Sequence, residues 1–240
     1  MPPQLSVIIP AYNEECRLGA TLDRLTAYLD ERGLEHEILV VDDGSTDGTA
    51  DVVRSYPAAA VRLVEQGTNR GKGAALRRGV AESRGRRVLL CDADLSTPIE
   101  ELEALEARLD DGVAVAVASR AAPDSVIRRR QPLYRELMGK TFNLIVRLLA
   151  IRGIADTQCG FKLLDGQVAR RLVPAVATDR FAFDVELLWL ARRAEHRIDE
   201  VGVTWIDSPD SRVHPVFDAA GMLRDVIRMR WRHRRHRGSS

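Results

Sequence analysis

The sequence has few cysteines, no long apolar run and almost no net charge, and each of these absences excludes a class of protein. Its three cysteines, Cys16, Cys91 and Cys159, are far apart and form no CxxC pair. This argues against a disulfide framework or a zinc knuckle and is typical of a reducing compartment. No stretch of 18 apolar residues exists, so we expect no membrane span. No basic segment precedes the first short apolar run, so we also expect no signal peptide.

The overall charge identifies no binding partner, because the 240 residues carry a formal net charge of only +1. With 45% hydrophobic residues, the chain is long enough for one large α/β domain with a full core, or for two small domains at most. We expect one domain over residues 1–232. The basic residues are concentrated near the end of the chain, where residues 224–237 contain seven Arg and two His against one Asp.

Short apolar runs alternate with helical patterns over the first half of the chain. The runs are rich in Val, Ile and Leu without polar alternation, which is typical of strands buried on both faces of a parallel sheet. They are LSVIIP, EILVVDD, VRLVEQ, RVLLCDAD and VAVAVASR. Between them, four leucines in residues 18–29 form one helical stripe, and residues 97–100 have the pattern of a capping box. The alternation predicts an α/β fold with a doubly wound, mostly parallel sheet.

The second half of the chain contains two segments that we interpret as membrane-facing. Residues 121–151 begin as a polar, basic loop and end in an apolar helix, 137–151, which we expect to lie in a membrane interface; an ordinary buried helix is the alternative. Residues 217–240 are predicted to be a basic helix and tail, in which apolar residues alternate with Arg over 222–237. A nucleic-acid-binding tail would also be Arg-rich but would not need the apolar face, so we expect no nucleic acid partner.

Polar residues follow three of the predicted strands, at the position where open parallel sheets bind their ligands. The three segments are PAYNEE, DDGSTDGT and DADLSTP. One such aspartate is often only a turn or cap residue, but three clusters on neighbouring strands favour a binding site. In the third segment, Asp92 and Asp94 are two carboxylates that would raise each other's pKa unless a cation joined them. Oxygen ligands alone suit Mg²⁺ or Mn²⁺, which also bind phosphate, so Asp92 and Asp94 are the predicted metal ligands.

Four segments together resemble the inverting family 2 glycosyltransferases with the GT-A fold. They are SVIIPAYNEE, EILVVDDGSTDGT, NRGKGAALRRG and LLCDADLSTP. The resemblance implies a Rossmann-like central sheet with helices on both faces, and a metal that joins the DxD carboxylates to the diphosphate of a nucleotide sugar. It also implies that the nucleotide-sugar site includes Pro10, Tyr12, Glu14, Asp42, Asp43, Lys72, Asp92, Ala93 and Asp94, with Asn69 nearby. For Lys72, a plain loop position is the alternative.

The second half resembles the polyprenyl-phosphate (dolichyl-phosphate) glycosyltransferases of that family. DTQCGFK and FDVELL are closer to the glucosyl-transferring branch than to the mannosyl branch. That branch usually has Ser-Lys where this chain has Ser211 and Arg212. Because Arg presents a planar fork rather than a point charge, we expect phosphate binding to persist with a changed contact. The resemblance implies UDP-glucose as donor, a polyprenyl phosphate as acceptor, and an enzyme on the cytoplasmic face of a membrane without a span of its own.

The predicted catalytic residues follow from the charges of the two substrates. A lipid phosphate is already an oxyanion at neutral pH, so it needs positioning more than a general base. Two phosphates must approach each other, which requires cations in addition to the metal on Asp94. By the motif positions that the resemblance implies, we assign Arg120 and Arg135 to the acceptor and Arg212 to the donor diphosphate, with solvated surface arginines as the alternative. The remaining candidates are Gln158 and Lys162 for sugar or phosphate and Asp184 for sugar hydroxyls, each with a structural role as the alternative.

The sequence therefore predicts a metal-dependent, inverting glycosyltransferase that moves glucose from UDP-glucose to a polyprenyl (dolichyl) phosphate. Within the same reaction class, the alternatives are transfer of mannose or GlcNAc to the lipid, and a family 2 transferase with a soluble acceptor. A sugar-phosphate nucleotidyltransferase is an alternative of another class, because it also uses a nucleotide, Mg²⁺ and a doubly wound sheet. A non-catalytic nucleotide-binding or membrane-recruiting module is the last.

Overall fold

The computed structural model describes residues 2–129, 143, 146, 151, 153–180, 182–207 and 215–235, with side chains of the last segment described for 221–233. Most of the predicted interfacial helix 137–151, together with Arg135 and Arg212, lies outside these residues. The elements, in chain order, are β1 (Leu5–Ala11), α1 (Glu15–Glu31), β2 (His36–Asp42), α2 (Thr49–Arg54), β3 (Val61–Glu65), α3 (Lys72–Glu82), β4 (Arg87–Leu90), α4 (Leu102–Asp110), β5 (Val115–Ser119), β6 (Val126–Arg129), β7 (Lys162–Asp165), α5 (Gly166–Leu172), α6 (Phe183–Arg193), β8 (Ile198–Gly202), β9 (Thr204–Ile206) and α7 (Pro215–Arg235).

Within the described residues, the central sheet has seven strands in the order β3-β2-β1-β4-β7-β5-β8. Strand β7 runs antiparallel to both of its neighbours, β4 and β5, and the other neighbouring pairs are parallel. A second, small sheet pairs β6 with β9 in parallel. The α/β class with a mostly parallel central sheet is therefore confirmed, and each of the five apolar runs of the first half contains a strand.

Apolar side chains cover both faces of the sheet, because successive residues of a strand point to opposite sides. In β1, Ile8 belongs to one buried cluster, together with side chains of α3 and α6. Its neighbours Val7 and Ile9 belong to the other cluster, together with α1 and α4. The four leucines predicted to form the inner stripe of α1 are fully buried in this second cluster. Burial of each such side chain contributes about 1.5–3 kcal/mol to stability relative to an exposed position.

The capping-box prediction for residues 97–100 is wrong. The chain enters α4 through a 3₁₀ turn over Ile99–Glu101, and no side chain caps either the turn or the helix. Thr97 is buried, and its hydroxyl lies 3.5 Å from Sγ of Cys159 instead of at the helix amides. The orientation of Thr97 is thus determined by its packing against the loop around Cys159. The local sequence pattern of residues 97–100 contains no information on this distant contact.

The C-terminal helix begins at Pro215, close to its predicted start near residue 218. One face of α7 is buried, with Val226 and Met229 packed inside, whereas Ile227 and Trp231 are exposed. Within the described part of the chain, every helix is too short or too polar to cross a membrane.

The close packing of α3 on β1 gives a stability prediction. A Cβ at Gly79 in α3 would lie 2.4 Å from Cγ2 of Ile8, so Gly79→Ala would overpack the core and destabilise the fold by about 1–3 kcal/mol. Gly19→Ala in α1 is the matched control, because the nearest atom to its Cβ would be 3.9 Å away. Alanine is the better helix former, so Gly19→Ala should stabilise by roughly 0.5–1 kcal/mol. Urea unfolding measures both, and equal effects of the two substitutions would contradict the packing.

Candidate active site

The three polar segments found in the sequence meet at one edge of the central sheet. They follow β1, β2 and β4, and the sheet order β2-β1-β4 makes these strands neighbours. Backbone hydrogen bonds continue beyond the strands: the amide of Asp43 donates to Ala11 O at 2.8 Å, and the amide of Cys91 donates to Ile8 O at 3.0 Å. The hydroxyl of Thr21 donates to the carbonyl of Ala93 at 2.6 Å, which ties α1 to the turn after β4.

Asp92, in the turn after β4, is paired with Lys72 at the start of α3. The Lys72 ammonium lies 2.5 Å from Oδ1 of Asp92, and both side chains are partly exposed. Burial would by itself raise the pKa of Asp92, but the Lys72 ammonium lowers it below its ordinary value. Likewise, burial would lower the pKa of Lys72, but the carboxylates of Asp92, Asp184 and Asp94 raise it. The carboxylates at this edge of the sheet therefore stabilise a positive charge, which here is the Lys72 ammonium.

Two backbone features place the carboxylates of this turn. A Cβ at Gly160 would overlap the carboxylate of Asp92, so any larger residue at this position would displace the Asp92 side chain. Asp94 accepts a hydrogen bond from the amide of Ser96 at 3.0 Å. Leu95, between Asp94 and Ser96, has φ of 45°. This left-handed conformation is strained for leucine, and such strain clusters at functional sites.

Arg120, just after β5, forms a two-pronged ion pair with Asp156. Its Nε lies 2.6 Å from Oδ2 and its terminal nitrogen lies 2.9 Å from Oδ1, and the Arg120 amide also donates to Oδ2 at 3.0 Å. Burial would raise the pKa of Asp156, but the guanidinium holds it well below the usual range. The guanidinium also lies over the Trp205 ring, 5.5 Å from its centroid. Arg120 is thus held rigidly with part of its side chain facing solvent.

Lys162 and Asp184 form a second, fully internal pair. The Lys162 ammonium is completely buried and donates to Asp184 Oδ1 at 2.6 Å and to the carbonyl of Cys159 at 2.5 Å. The two carboxylates of α6, at positions i and i+2 of the helix, point in different directions, and Glu186 contacts the loop before α6. Asp184 therefore neutralises Lys162 in this structure, and its predicted contact with a sugar stays a prediction.

Two aspartates at the end of β2, Asp42 and Asp43, organise the loops at this edge of the sheet. Asp43 accepts hydrogen bonds from Gln66 Nε2 at 2.6 Å and from the amides of Arg70 and Gly71 at 2.8 and 2.7 Å. It therefore fixes the chain that enters α3 at Lys72. Asp42 is also buried, and its carboxylate oxygens lie 3.2 and 3.3 Å from the amide nitrogen of Ser45.

The remaining predicted nucleotide-sugar residues lie around these loops. Pro10 is partly buried near the end of β1, and Tyr12 beyond it is exposed. The amide of Glu14 donates to Thr49 Oγ1 at 2.7 Å, and its carboxylate pairs with Arg17. Gln158 donates through Nε2 to the sulfur of Met222 at 3.1 Å, so the C-terminal helix α7 reaches this loop.

The cysteines near the site do not act as nucleophiles. Cys91 and Cys159 are buried, and burial raises the pKa of both thiols. Buried thiols with raised pKa values stay protonated, so Cys91 and Cys159 are small core residues.

The carboxylates suit a divalent cation that keeps water ligands. Among the described residues, no group of three or more His, Cys, Asp or Glu side chains forms a closed metal cage. Mg²⁺ and Mn²⁺ sites commonly use only one or two carboxylates, with substrate phosphates and waters completing the shell. Asp92 and Asp94 provide such a partial set, and the Lys72 ammonium on Asp92 shows that a positive charge is accommodated there.

Two residues that bear on this site were not singled out from the sequence. Asp156 orients Arg120, and Gly160 makes room for Asp92. Both lie in DTQCGFK, the segment from which the sequence analysis selected Gln158 and Lys162 instead.

Comparison with known proteins gives consistent matches over most of the chain. The family model described as Glycosyl transferase family 2 matches residues 6–171. A protein of Dictyostelium discoideum named dolichyl-phosphate beta-glucosyltransferase is 37% identical, over 95% of this chain and 74% of that protein. The human protein of the same name is also 37% identical, over 96% of this chain and 76% of its own.

Solved structures with low sequence identity share the fold. Mannosyl-3-phosphoglycerate synthase from Rubrobacter xylanophilus superimposes with a TM-score of 0.71 at 22% identity, covering 99% of this chain and 76% of the other. Glucosyl-3-phosphoglycerate synthase from Mycobacterium tuberculosis was crystallised with Mn²⁺, UDP-glucose and phosphoglyceric acid. It superimposes with a TM-score of 0.69 at 20% identity, covering 95% of this chain and 78% of the other.

The Lys72–Asp92 pair predicts competition between the ammonium and a divalent cation. Removing the ammonium in Lys72→Met should tighten Mn²⁺ binding to the nucleotide-free protein by about tenfold, because it removes a like charge a few ångströms from the metal ligands. Lys72→Arg is the control, since it keeps the charge and should bind Mn²⁺ like the wild type. Free Mn²⁺ is measured by electron paramagnetic resonance during titration. Weaker binding by Lys72→Met would contradict the competition.

Proposed function

The chain belongs to glycosyl transferase family 2 and is a glycosyltransferase, and from this membership we propose that it transfers glucose from UDP-glucose to a polyprenyl (dolichyl) phosphate. The products would be polyprenyl-phosphate glucose, with inverted configuration at the anomeric carbon, and UDP. The proposal is supported by four relatives named dolichyl-phosphate beta-glucosyltransferase that are 37% to 38% identical over most of the chain.

One observation of the structure supports a reaction between two phosphates. The carboxylate turn at Asp92 meets the cation of Lys72 at the ends of the strands, and the rigidly held guanidinium of Arg120 is a further cation close enough to lower the pKa of Asp92. A lipid phosphate and a nucleotide diphosphate repel each other, so both must be neutralised before the acceptor oxygen can approach the anomeric carbon. Two cations near the carboxylate turn meet this requirement.

The roles of the residues follow from these charges. Asp92 and Asp94 would hold Mg²⁺ or Mn²⁺, which supplies charge stabilisation to the departing diphosphate when bound. A structural relative that binds UDP-glucose was crystallised with Mn²⁺, which supports a divalent metal in this enzyme too. Lys72 would contact the diphosphate from the side of α3. Arg120, oriented by Asp156, would hold the acceptor phosphate on the opposite face, so that its oxygen attacks without a general base.

Further residue roles are part of the same proposal. The nucleoside would lie over Tyr12 at the ends of β1 and β2, with Pro10, Glu14, Asp42, Asp43, the Ala93 backbone and Gln158 around the nucleotide sugar. Arg135 would assist at the acceptor and Arg212 at the donor diphosphate. We further propose that residues 1–232 act as one catalytic domain, because β7 and β8 complete the sheet begun by β1–β4.

The exposed face of α7 supports a membrane-surface contact. Ile227 and Trp231, one turn apart, are 46% and 66% exposed, and the exposed Arg224 and Arg228 lie beside them. A helix with exposed apolar residues beside arginines is suited to lie on anionic lipid, where the polyprenyl acceptor resides. We propose that α7 and the tail, residues 222–237, contact the membrane, together with residues 137–151.

A donor screen tests the reaction. In detergent with Mn²⁺ and a polyprenyl phosphate, we expect lipid-dependent UDP release from UDP-glucose and little release from UDP-GlcNAc or GDP-mannose. Asp94→Asn should lower the rate by about 100-fold or more, because it removes one metal ligand. Release from GDP-mannose would retain the mechanism and overturn the donor assignment. Release that does not depend on the lipid would contradict the lipid acceptor and favour a soluble one.

Vesicle partition tests the membrane contact. We expect the protein to sediment with vesicles that contain anionic lipid and less with neutral ones. Trp231→Ser should weaken partition by about tenfold, since it removes a large exposed apolar side chain. Asp94→Asn should partition like the wild type. Equal sedimentation of Trp231→Ser and wild type would contradict the proposal that α7 contacts the membrane.

A further inference from the structure

Glu186 in α6 is a fully buried carboxylate that the proposed reaction does not use. Its Oε2 accepts hydrogen bonds from the amides of Ala177 and Thr178 at 3.1 and 2.8 Å, and from the Thr178 hydroxyl at 2.5 Å. Its Oε1 lies 2.8 Å from Nε2 of His233 on α7. A guanidinium nitrogen of Arg232 lies 3.8 Å from Oε1 and contributes to neutralising the buried charge. A buried carboxylate with these partners is held in one position, because losing a hydrogen bond in the interior is costly. Glu186 therefore joins the loop 177–179 to the C-terminal helix.

The loop 177–179 is also the support on which α3 begins. The amide of Ala74 donates to a carbonyl oxygen of this loop at 3.1 Å. A Cβ at Gly73 would lie 2.5 Å from one of its carbonyl oxygens, and a Cβ at Gly71 would lie 2.6 Å from another. Both neighbours of Lys72 thus rest directly on the backbone of the loop, at a distance that only glycine allows. A displacement of the loop would therefore disturb the backbone on both sides of Lys72.

Arg77, about one turn after Gly73 in α3, contacts the same loop through its side chain. Its guanidinium donates to the carbonyl of Thr178 at 2.9 Å and pairs with the carboxylate of Asp179. The first turn of α3 and the loop 177–179 therefore move together.

The position of α7 against α6 is fixed at His233. The His233 ring packs on Trp189, with centroids 4.7 Å apart. Arg193 donates to the carbonyl of His233 at 2.8 Å and lies over the Trp189 ring. These contacts bring Nε2 of His233 to Glu186, and since an ionised carboxylate only accepts, Nε2 donates.

We propose that Glu186 and His233 are positioning residues, which link the C-terminal helix to the loop 177–179 and thereby hold Lys72 where it meets Asp92 and the donor diphosphate. The proposal rests on the proposed function, in that the donor is a nucleoside diphosphate sugar. Neither residue touches the substrate. Each acts through the contacts that connect α7, the loop and the start of α3.

Substitutions of the residues that contact the two oxygens of the Glu186 carboxylate test the connection between α7 and the loop 177–179. His233→Phe keeps a ring against Trp189 but cannot donate, and Thr178→Val removes the hydroxyl donor with little change of shape. His233→Gln restores a donor at the end of the side chain. Thr26→Val is the matched control, because it removes an equally small buried hydroxyl from α1, away from this network.

Two measurements are made on each full-length variant: the affinity for UDP in the presence of Mn²⁺ by calorimetry, and hydrogen exchange of the Ala74 amide. We expect His233→Phe and Thr178→Val to weaken UDP binding by about threefold to tenfold. Exchange at Ala74 should become faster in both, because its hydrogen bond to the loop opens more often. His233→Gln should recover most of the affinity, and Thr26→Val should change neither quantity.

The outcomes separate this inference from the proposed function. If the wild type binds UDP and the two variants bind it equally well with unchanged Ala74 exchange, Glu186 only stabilises the fold and the inference is overturned. If the wild type does not bind UDP, the donor assignment fails, and the Ala74 exchange alone then decides whether the link between α7 and α3 exists.

Discussion

The arrangement of the site depends on the neutralisation of carboxylates that the fold brings to the ends of its strands. Asp92, Asp156 and Asp184 each contact a cationic side chain, and the Asp156 and Asp184 carboxylates are almost completely buried. The three cations come from the start of α3, the end of β5 and the start of β7. Because an unpaired charge in the interior is costly, these pairs fix the elements relative to one another. In the proposed reaction, the partly exposed Lys72 and Arg120 of these pairs would also face the substrate phosphates.

Glycine has a comparable importance where backbones must approach closely. Gly160 leaves space for the Asp92 carboxylate, and Gly71 and Gly73 allow α3 to begin directly on the loop 177–179. The site is therefore built from charged pairs that require close approach and from glycines that permit it. Larger residues at these positions would displace Asp92 or the start of α3 and so change the Lys72–Asp92 geometry.

The sequence predicted the features that depend on local pattern. Strands buried on both faces leave apolar runs, so β1 to β5 were recognisable, and the Asp92–Asp94 turn stood out because it follows such a run. Strand β7 was not predicted, because its four residues KLLD are short and include a buried lysine. The Arg120–Asp156 pair joins residues 36 positions apart and the Glu186–His233 contact spans 47 positions. Neither separation has a periodic signal, so only the tertiary structure shows them.

The position of β7 affects the order in which the sheet can form. In the sheet order, β7 stands between the group β3-β2-β1-β4 and the pair β5-β8, and it pairs in antiparallel register with both sides. During synthesis, β1 to β4 can assemble early, since their connections are short. The strand that joins them to β5 lies more than 40 residues after β5 in the chain, because β5 ends at Ser119 and β7 begins at Lys162. The strand β5, which leads to Arg120, is therefore joined to β1–β4 in the sheet only when β7 pairs with both, and non-local pairing of this kind is slow. If Arg120 holds the acceptor as proposed, we expect the site to be completed late in folding, even though β1 to β4 are encoded first.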